Sequence, residues 1–150
     1  MTELRLEELS AATIVAANAL SLRPGQEQFI APLSYSVVVA VQNSATTWQR
    51  VVLDGDQVVG FISGNFDPAA SVADFRSILW RINVDARGQR RGIGRFAVQS
   101  LGAEAKRRGF QTLNVIYEPG EDGPELFFRR VGFEPQHETE YGEILATLAL

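Results

Sequence analysis

This sequence predicts an α/β (α+β) fold in a single domain, and three observations carry the prediction. The chain has 150 residues, about one domain's worth. Stretches of strand-type and helix-type periodicity succeed one another along it, without internal repeats or low-complexity linkers. In the second half, the apolar run Ser77-Ile78-Leu79-Trp80-Arg81-Ile82-Asn83-Val84-Asp85 leads through a glycine- and arginine-rich segment, Arg87-Gly88-Gln89-Arg90-Arg91-Gly92-Ile93-Gly94-Arg95, into a helical pattern of Ile93, Phe96, Ala97, Leu101 and Ala105. With 45% hydrophobic residues, nine of them phenylalanine by count, the chain can fill a packed core.

The elements follow in order. Residues 3–6 read as a short first strand. Ser10 is placed to cap a helix carrying Ile14, Val15, Ala17 and Leu20, which Pro24-Gly25 ends. After a loop over residues 23–32, Ser34 begins a second apolar stretch with Val37, Val38, Val39 and Val41, whose valine alternation suits a strand, although short β-branched runs are ambiguous between strand and helix. Residues 50–53 and 58–63 flank Asp54-Gly55, a strong hairpin signal because glycine reaches the positive φ such turns need. Residues 65–74, with Pro68, form a loop, and residues 77–85 the next strand. The helix from Ile93 is followed by a fifth strand over residues 112–117 and a turn at Pro119-Gly120-Glu121-Asp122-Gly123. Pro124 suits the first position of a short helix, since it has no N–H to leave unpaired. Residues 144–150 close the chain as a strand, and His137 reads as an exposed loop residue.

Composition excludes several function classes. A net charge of −4 argues against a protein built to cover nucleic-acid phosphate, while allowing one local basic loop. With no cysteine and a single histidine, His137, there is no disulfide, thiolate nucleophile or histidine-rich metal cluster, and no metal is expected. The start Met1-Thr2-Glu3-Leu4-Arg5 lacks a signal peptide's basic-then-apolar order, and no apolar stretch approaches the roughly 20 residues that span a bilayer. A cytoplasmic protein without membrane or nucleic-acid partners is the expectation.

The loop before the long helix carries the chemistry. Free N–H groups at a helix start and the positive end of its dipole favour an anion, and glycines let phosphate oxygens reach the main chain. A nucleoside-triphosphatase loop is excluded, because no Gly-Lys-Ser/Thr follows at the required spacing. A dinucleotide fingerprint matches Gly92, Gly94 and Ala97 only nominally, since five residues from Arg87 to Arg91 separate it from the strand, and the position for a ribose-binding acid holds Asn114.

What remains is Gln-x-x-Gly-x-Gly, carried by Gln89, Gly92 and Gly94, and here the chain resembles the GNAT-type N-acetyltransferases, which bind acetyl-coenzyme A. The resemblance covers almost the whole chain, down to Arg129-Arg130-Val131-Gly132-Phe133 in the last helix. Gln28-Phe29-Ile30-Ala31-Pro32, Val59-Gly60-Phe61 and Trp80-Arg81 are most similar to the bacterial spermine/spermidine acetyltransferase branch. The resemblance implies a GNAT-like domain: a central mixed, mostly antiparallel sheet of about six to seven strands, splayed at strands 4 and 5, with about four helices, the valine-rich stretch among them. It also makes a homodimer plausible.

It further implies a chemistry. The main chain of Ile82 and Val84 would pair with the pantetheine arm of acetyl-coenzyme A, and the Val84 N–H would hold the oxyanion formed when an amine attacks the thioester directly, a contribution of about 3 kcal/mol for such a donor. Gln89, Arg90, Arg91, Gly92, Ile93, Gly94 and Arg95 would bind the phosphates. Four arginines (Arg87, Arg90, Arg91, Arg95) crowded at a helix start repel one another and oppose the dipole, and an anionic ligand removes both problems. Either Gly92→Glu or Gly94→Glu is then expected to abolish cofactor binding with the fold largely intact.

The family's proton-donating tyrosine stands four residues before the Gly-Phe of the last helix, and this chain has Phe128 there. Tyr117 is the substitute candidate. Glu118 is the candidate base, with Glu27 and Glu121 as acids shaping the acceptor pocket. The acceptor is a primary amine of a small molecule, with a polyamine or diamine favoured by the acidic balance. Alternatives are a coenzyme A-binding sensor with weak catalysis, for which Phe128 speaks, and a protein or peptide N-acetyltransferase. Arg81 interrupts an apolar strand and has three readings: pairing with Asp85, pairing with Glu118, or binding a substrate carboxylate.

Overall fold

The computed structural model describes residues 4–18, 45–86, 92–120, 124–139 and 142–150. Its strands are β1 (Leu4–Glu8), β2 (Thr47–Asp54), β3 (Gln57–Phe66), β4 (Ser77–Val84), β5 (Thr112–Tyr117), β6 (Glu134–Glu138) and β7 (Ile144–Ala149), and its helices α1 (Ile14–Asn18), α2 (Ile93–Arg107) and α3 (Glu125–Arg130), with a 3-10 turn at Ala73–Phe75. The strands form one sheet in the order β1-β2-β3-β4-β5-β7-β6. Every pairing is antiparallel except β4 with β5. That pair is parallel because α2 carries the chain back across the sheet, the connection parallel neighbours require.

The β2–β3 hairpin turns where Asp54-Gly55 predicts, with Gly55 at φ 62° and Asp54 opposite Gln57. β3 and the start of β4 are buried on both faces, as central strands are. One face of the sheet holds the main core, in which Ile93, Ala97, Val98, Leu101 and Ala105 of α2 pack on Val52, Ile62, Leu79, Val115 and Phe133. Gly64 lets α2 approach, since a Cβ there would stand 2.7 Å from Leu101 Cδ1 and 3.0 Å from the Ile78 carbonyl. The other face carries a smaller cluster of Ala17, Val51 and Phe61, with Leu9 and Val58 against it.

Several details depart from the sequence reading, among them β1, which runs on to Glu8 past the expected Leu6, and β2, which begins at Thr47 rather than Arg50. Residues 134–138, taken as loop around His137, form β6, an edge strand fully exposed along its length. It joins β7 through Glu134↔Thr147 and His137↔Leu145, so backbone pairing alone defines it and no apolar alternation announces it. β3 runs on to Phe66, three residues past the expected end at Ser63. Pro124 caps α3 from outside, and its first helical residue is Glu125. The valine-rich stretch lies outside the described residues.

Candidate functional site

The site is built by the way β4 leaves β5. Only Ile78↔Asn114 and Leu79↔Val115 are paired, although β4 continues to Val84 and β5 to Tyr117. Immediately past Leu79 the β3–β4 register slips: Gly64 faces Leu79, but Ser63 faces Arg81. Trp80 is the extra residue, a β-bulge that bends and twists the strand. The base of the resulting gap is pinned by side chains. Ser77 Oγ donates to the Thr112 carbonyl at 2.7 Å, Asn114 Nδ2 to the Asp74 carbonyl at 3.0 Å, and Thr147 Oγ1 to Asn114 Oδ1 at 2.7 Å.

Backbone direction beyond the bulge follows from one hydrogen bond. Asp85 N–H donates to the Val59 carbonyl at 2.9 Å. In an antiparallel ladder, alternate residues direct their amides to the same side. The N–H and C=O groups of Val84 and Ile82 therefore point away from β3, into the gap that β5 leaves. Their side chains pack against the main core.

At the far end of β4, Gly92 adopts φ 78° as the residue before α2, with no side-chain cap. The first helical hydrogen bond runs from Phe96 N–H to the Gly92 carbonyl, so the N–H groups of Ile93, Gly94 and Arg95 have no intrahelical acceptor. The Ile93 side chain is core, 1% exposed, and only its backbone faces the helix start. A Cβ on Gly92 would meet nothing within 4 Å, whereas one on Gly94 would lie 2.7 Å from Phe127 Cε1 and 3.6 Å from Val84 Cγ2. This corrects an expectation: a Gly94→Glu side chain collides with α3, and only Gly92→Glu tests phosphate binding without disturbing packing. Arg95 Nη2 donates to the Arg130 carbonyl at 3.1 Å, at the C-terminal end of α3, where a cation is favoured. Gln89, Arg90 and Arg91 lie outside the described residues, as do Glu27 and Glu121.

Tyr117 ends β5, two residues past the last β4–β5 pair, across the gap from Arg81 and Ile82 in a parallel count. Its ring stacks on Phe128 at 5.5 Å and 21°, and Phe128 in turn meets Phe127 and Phe133 edge-on. Phe128 is thus a buried shelf for the tyrosine at its side. The Tyr117 hydroxyl is buried without a hydrogen bond of acceptable geometry. Burial raises its pKa above the ordinary 10, the nearby charge of Glu125 adds to the shift, and Arg129 opposes it. Glu125 and Arg129 pair with each other at 3.4 Å. Glu118 follows Tyr117 and is exposed.

Arg81 joins neither carboxylate expected of it. Together with Asn83 and Asp85 it makes a buried polar stripe, 8%, 5% and 2% exposed, on the face opposite Ile82 and Val84. That face carries α1, since Asn83 sits across from Phe61, a member of the α1-side cluster. With the Asn83 amide oriented to satisfy both its ends, its nitrogen donates to the Ile82 carbonyl and its oxygen accepts from Arg81 Nη2, each at 3.0 Å. Arg81 Nη1 and the buried hydroxyl of Ser63 opposite it find no partner. Desolvation by burial lowers the Arg81 pKa well below its ordinary value, to about 10. The stripe was visible in the sequence as polar residues at every second position. The bulge, the role of Ser63 and the closure of Phe127 on Gly94 were not.

Among the described residues no three His, Cys, Asp or Glu side chains gather as a metal site requires, and no helix is long and apolar enough to cross a membrane.

Comparison with known proteins gives a consistent result. The profile of the Acetyltransferase (GNAT) family matches residues 15–133. No curated protein matches the sequence significantly. Among solved structures, the PaiA N-acetyltransferase of Thermoplasma acidophilum, in complex with coenzyme A, superposes with a TM-score of 0.73 at 11% identity over 99% of each chain. The ribosomal-protein-S18-alanine N-acetyltransferase of Escherichia coli gives 0.68 at 20% identity, covering 98% of this chain and 94% of its own. Ard1 from Thermoplasma volcanium gives 0.73 at 14% identity, covering 98% and 97%. At these identities the likeness is one of fold.

Proposed function

Because the chain belongs to the GNAT acetyltransferase family, an acetyl-coenzyme A-dependent N-acetyltransferase, we propose that it acetylates a primary amine of a small molecule in the gap between β4 and β5. The observation that carries this is the conjunction of that gap, lined by the outward amides of Ile82 and Val84, with the uncapped, glycine-started helix α2 at its end. The two features fit the two ends of the cosubstrate. An extended pantetheine arm needs a strand edge to pair with, and phosphates need backbone N–H groups free of side chains.

Acetyl-coenzyme A supplies the acyl group activated as a thioester. The chain's residues then have distinct tasks. The N–H groups of Gly92, Ile93, Gly94 and Arg95 receive phosphate oxygens, and Gln89, Arg90 and Arg91 are proposed to complete that cradle. Val84 packs next to Gly94, at the phosphate end, so its amide is better suited to the pantetheine. Ile82 directs its N–H the same way two residues nearer the bulge, and we assign it the oxyanion.

As the C–N bond forms to the acyl carbon, the carbonyl π pair moves onto oxygen; when the carbonyl re-forms, the C–S bond breaks and its electron pair leaves on sulfur. Tyr117, across the gap from Arg81 and Ile82, donates its proton to that sulfur. The amine's own proton passes to solvent or to a carboxylate, for which the exposed Glu118, next to Tyr117, is the candidate. A thiol with a reference pKa of about 8.5 is a fair leaving group, so the tyrosine assists rather than enables.

A diamine or polyamine acceptor is supported by the net charge of −4 and by the likeness of Val59-Gly60-Phe61 and Trp80-Arg81 to the spermine/spermidine branch; Gln28–Pro32 of that likeness, Glu27 and Glu121 lie outside the described residues. Against it stands the buried guanidinium of Arg81. The likeness to the ribosomal-protein-S18-alanine N-acetyltransferase of E. coli keeps a protein or peptide amine in view as an alternative acceptor. A cytoplasmic homodimer goes with the proposal.

The test is release of free coenzyme A thiol from acetyl-coenzyme A over a panel of diamines, spermidine, amino acids and short peptides, with calorimetric binding of coenzyme A alongside. Turnover on a small amine is expected. Tight binding without turnover on any acceptor would favour a sensor, and no binding would end the proposal.

A further inference from the structure

Arg81 is a charged group in a place where a charge is costly. Its side chain is 8% exposed, and burial is the whole cause of its lowered pKa. Among the described residues no carboxylate stands within ion-pair distance of it; its neighbour on the strand, Asn83, offers only a neutral amide oxygen. Directly across the β3–β4 ladder, on the same face, the Ser63 hydroxyl is buried at 1% exposure. Nη1 of Arg81 and Oγ of Ser63 are both without a partner. An unpaired buried ion costs several kcal/mol, and a guanidinium presents a planar fork of donors that a carboxylate satisfies at two points at once. The position is equally specific. Arg81 stands between the bulge residue Trp80 and Ile82, so it adjoins the acetyl end of the gap, about 3.3 Å along the strand from Ile82. Trp80 itself is 44% exposed, an uncovered aromatic at the same place.

We infer that Arg81 and Ser63 form the recognition element for a carboxylate on the acetyl acceptor, so that the substrate is a small amino-carboxylate rather than a polycationic amine. The inference rests on acetyl transfer at this site. The carboxylate takes the fork of Arg81 and the hydroxyl hydrogen of Ser63, which neutralises the buried cation and fixes the distance from that anchor to the amine. A diamine offers a second cation where one is already unpaired, and is rejected by repulsion and by the polar groups it leaves unsatisfied.

Pairs of acceptors that differ only by the carboxylate test this: lysine against 1,5-diaminopentane, ornithine against 1,4-diaminobutane, phenylalanine against phenethylamine. For at least one pair, kcat/KM for the acid should exceed that of the decarboxylated partner by about tenfold or more, one hydrogen-bonded charge pair's worth. Arg81→Gln should bring that ratio toward one, and Arg81→Lys should keep part of it; a merely structural role would lower both members equally and leave the ratio alone. A second reading needs no turnover: with coenzyme A bound, rising concentrations of the preferred acid should raise the melting temperature of the wild type and not of Arg81→Gln. Diamines turned over better than every acid would overturn the inference while leaving acetyl transfer in place. Stabilisation by an acid without any turnover would do the reverse, keeping the carboxylate site and removing the enzymatic reading. Neither turnover of nor stabilisation by any of the three acids would also overturn it.

Discussion

Tyr117 is the residue on which the proposed chemistry depends most. Its hydroxyl is buried and its pKa is raised by desolvation first and by Glu125 second, so it stays protonated through the pH range of any ordinary assay, as a donor must. Tyr117→Phe should lower kcat by about 10²-fold with little change in KM for acetyl-coenzyme A; an unchanged kcat would remove it from the mechanism. The same shift predicts a stability effect. Above pH 10 the unfolded chain gives up this proton before the folded chain does, so the folded state binds more protons and stability falls as pH rises from there. Absorbance of tyrosinate should show one late-titrating tyrosine, absent in Tyr117→Phe. Arg81 has the opposite character. A base whose pKa is lowered by folding holds its proton less well folded than unfolded, so its charge costs stability at every pH below about 10. Arg81→Met should therefore raise the unfolding free energy of the ligand-free protein by about 1–3 kcal/mol in urea denaturation, and a decrease would show that the hydrogen bond to Asn83 outweighs the cost of burying the charge. Tyr117 was legible in the sequence as a candidate because the family position held Phe128; that Phe128 would be its stacking partner depends on the packing of α3 on β5. Arg81 was legible as an anomaly, but which face of β4 it occupies follows from the bulge, and no local pattern encodes that.

At the level of elements, long periodic segments and turn chemistry read true. The hairpin at Asp54-Gly55, the fifth strand and the α2 stripe stand where apolar spacing puts them, because each buries its own apolar positions. β6 was missed for the complementary reason. Glu134-Pro135-Gln136-His137-Glu138 buries nothing, and its strand character comes from hydrogen bonding to β7, which the residues themselves do not signal. The Trp80 bulge belongs to the same class, a register event that needs both strands to be seen. The spacing between α2 and the sheet is set by Gly64. A Cβ there meets a leucine methyl and a backbone carbonyl, and the carbonyl cannot rotate away, so Gly64→Ala should destabilise the fold by about 1–3 kcal/mol, measured by urea denaturation. A cost below about 0.5 kcal/mol would mean that α2 is not held this closely. Gly94 differs, since its neighbour is the end of the Phe127 ring. Gly94→Ala should displace that ring and weaken coenzyme binding through α3 more than it weakens the fold.

Across the whole molecule, the sheet supplies the rigid frame and one irregularity in it supplies the site. Five of the six strand pairings are antiparallel; the single parallel pairing, held for two residues and then released by the bulge, opens the gap in which strand amides and a helix start face the same space. Fold and cosubstrate were readable because the Gln-x-x-Gly-x-Gly loop is a local sequence feature. The acceptor was not, because its pocket is assembled from side chains distant in sequence, Ser63 and Arg81 among them. The central claim, that coenzyme A binds with its phosphates on the start of α2, is tested most directly by calorimetric titration of coenzyme A into the wild type, Gly92→Ala and Gly92→Glu. Space around Gly92 is open, so the alanine costs only backbone strain of about 1 kcal/mol and should bind within about tenfold of wild type. The glutamate places a negative charge against the phosphates and should bind at least about a hundredfold more weakly. Equal affinity in Gly92→Glu and the wild type would contradict the account.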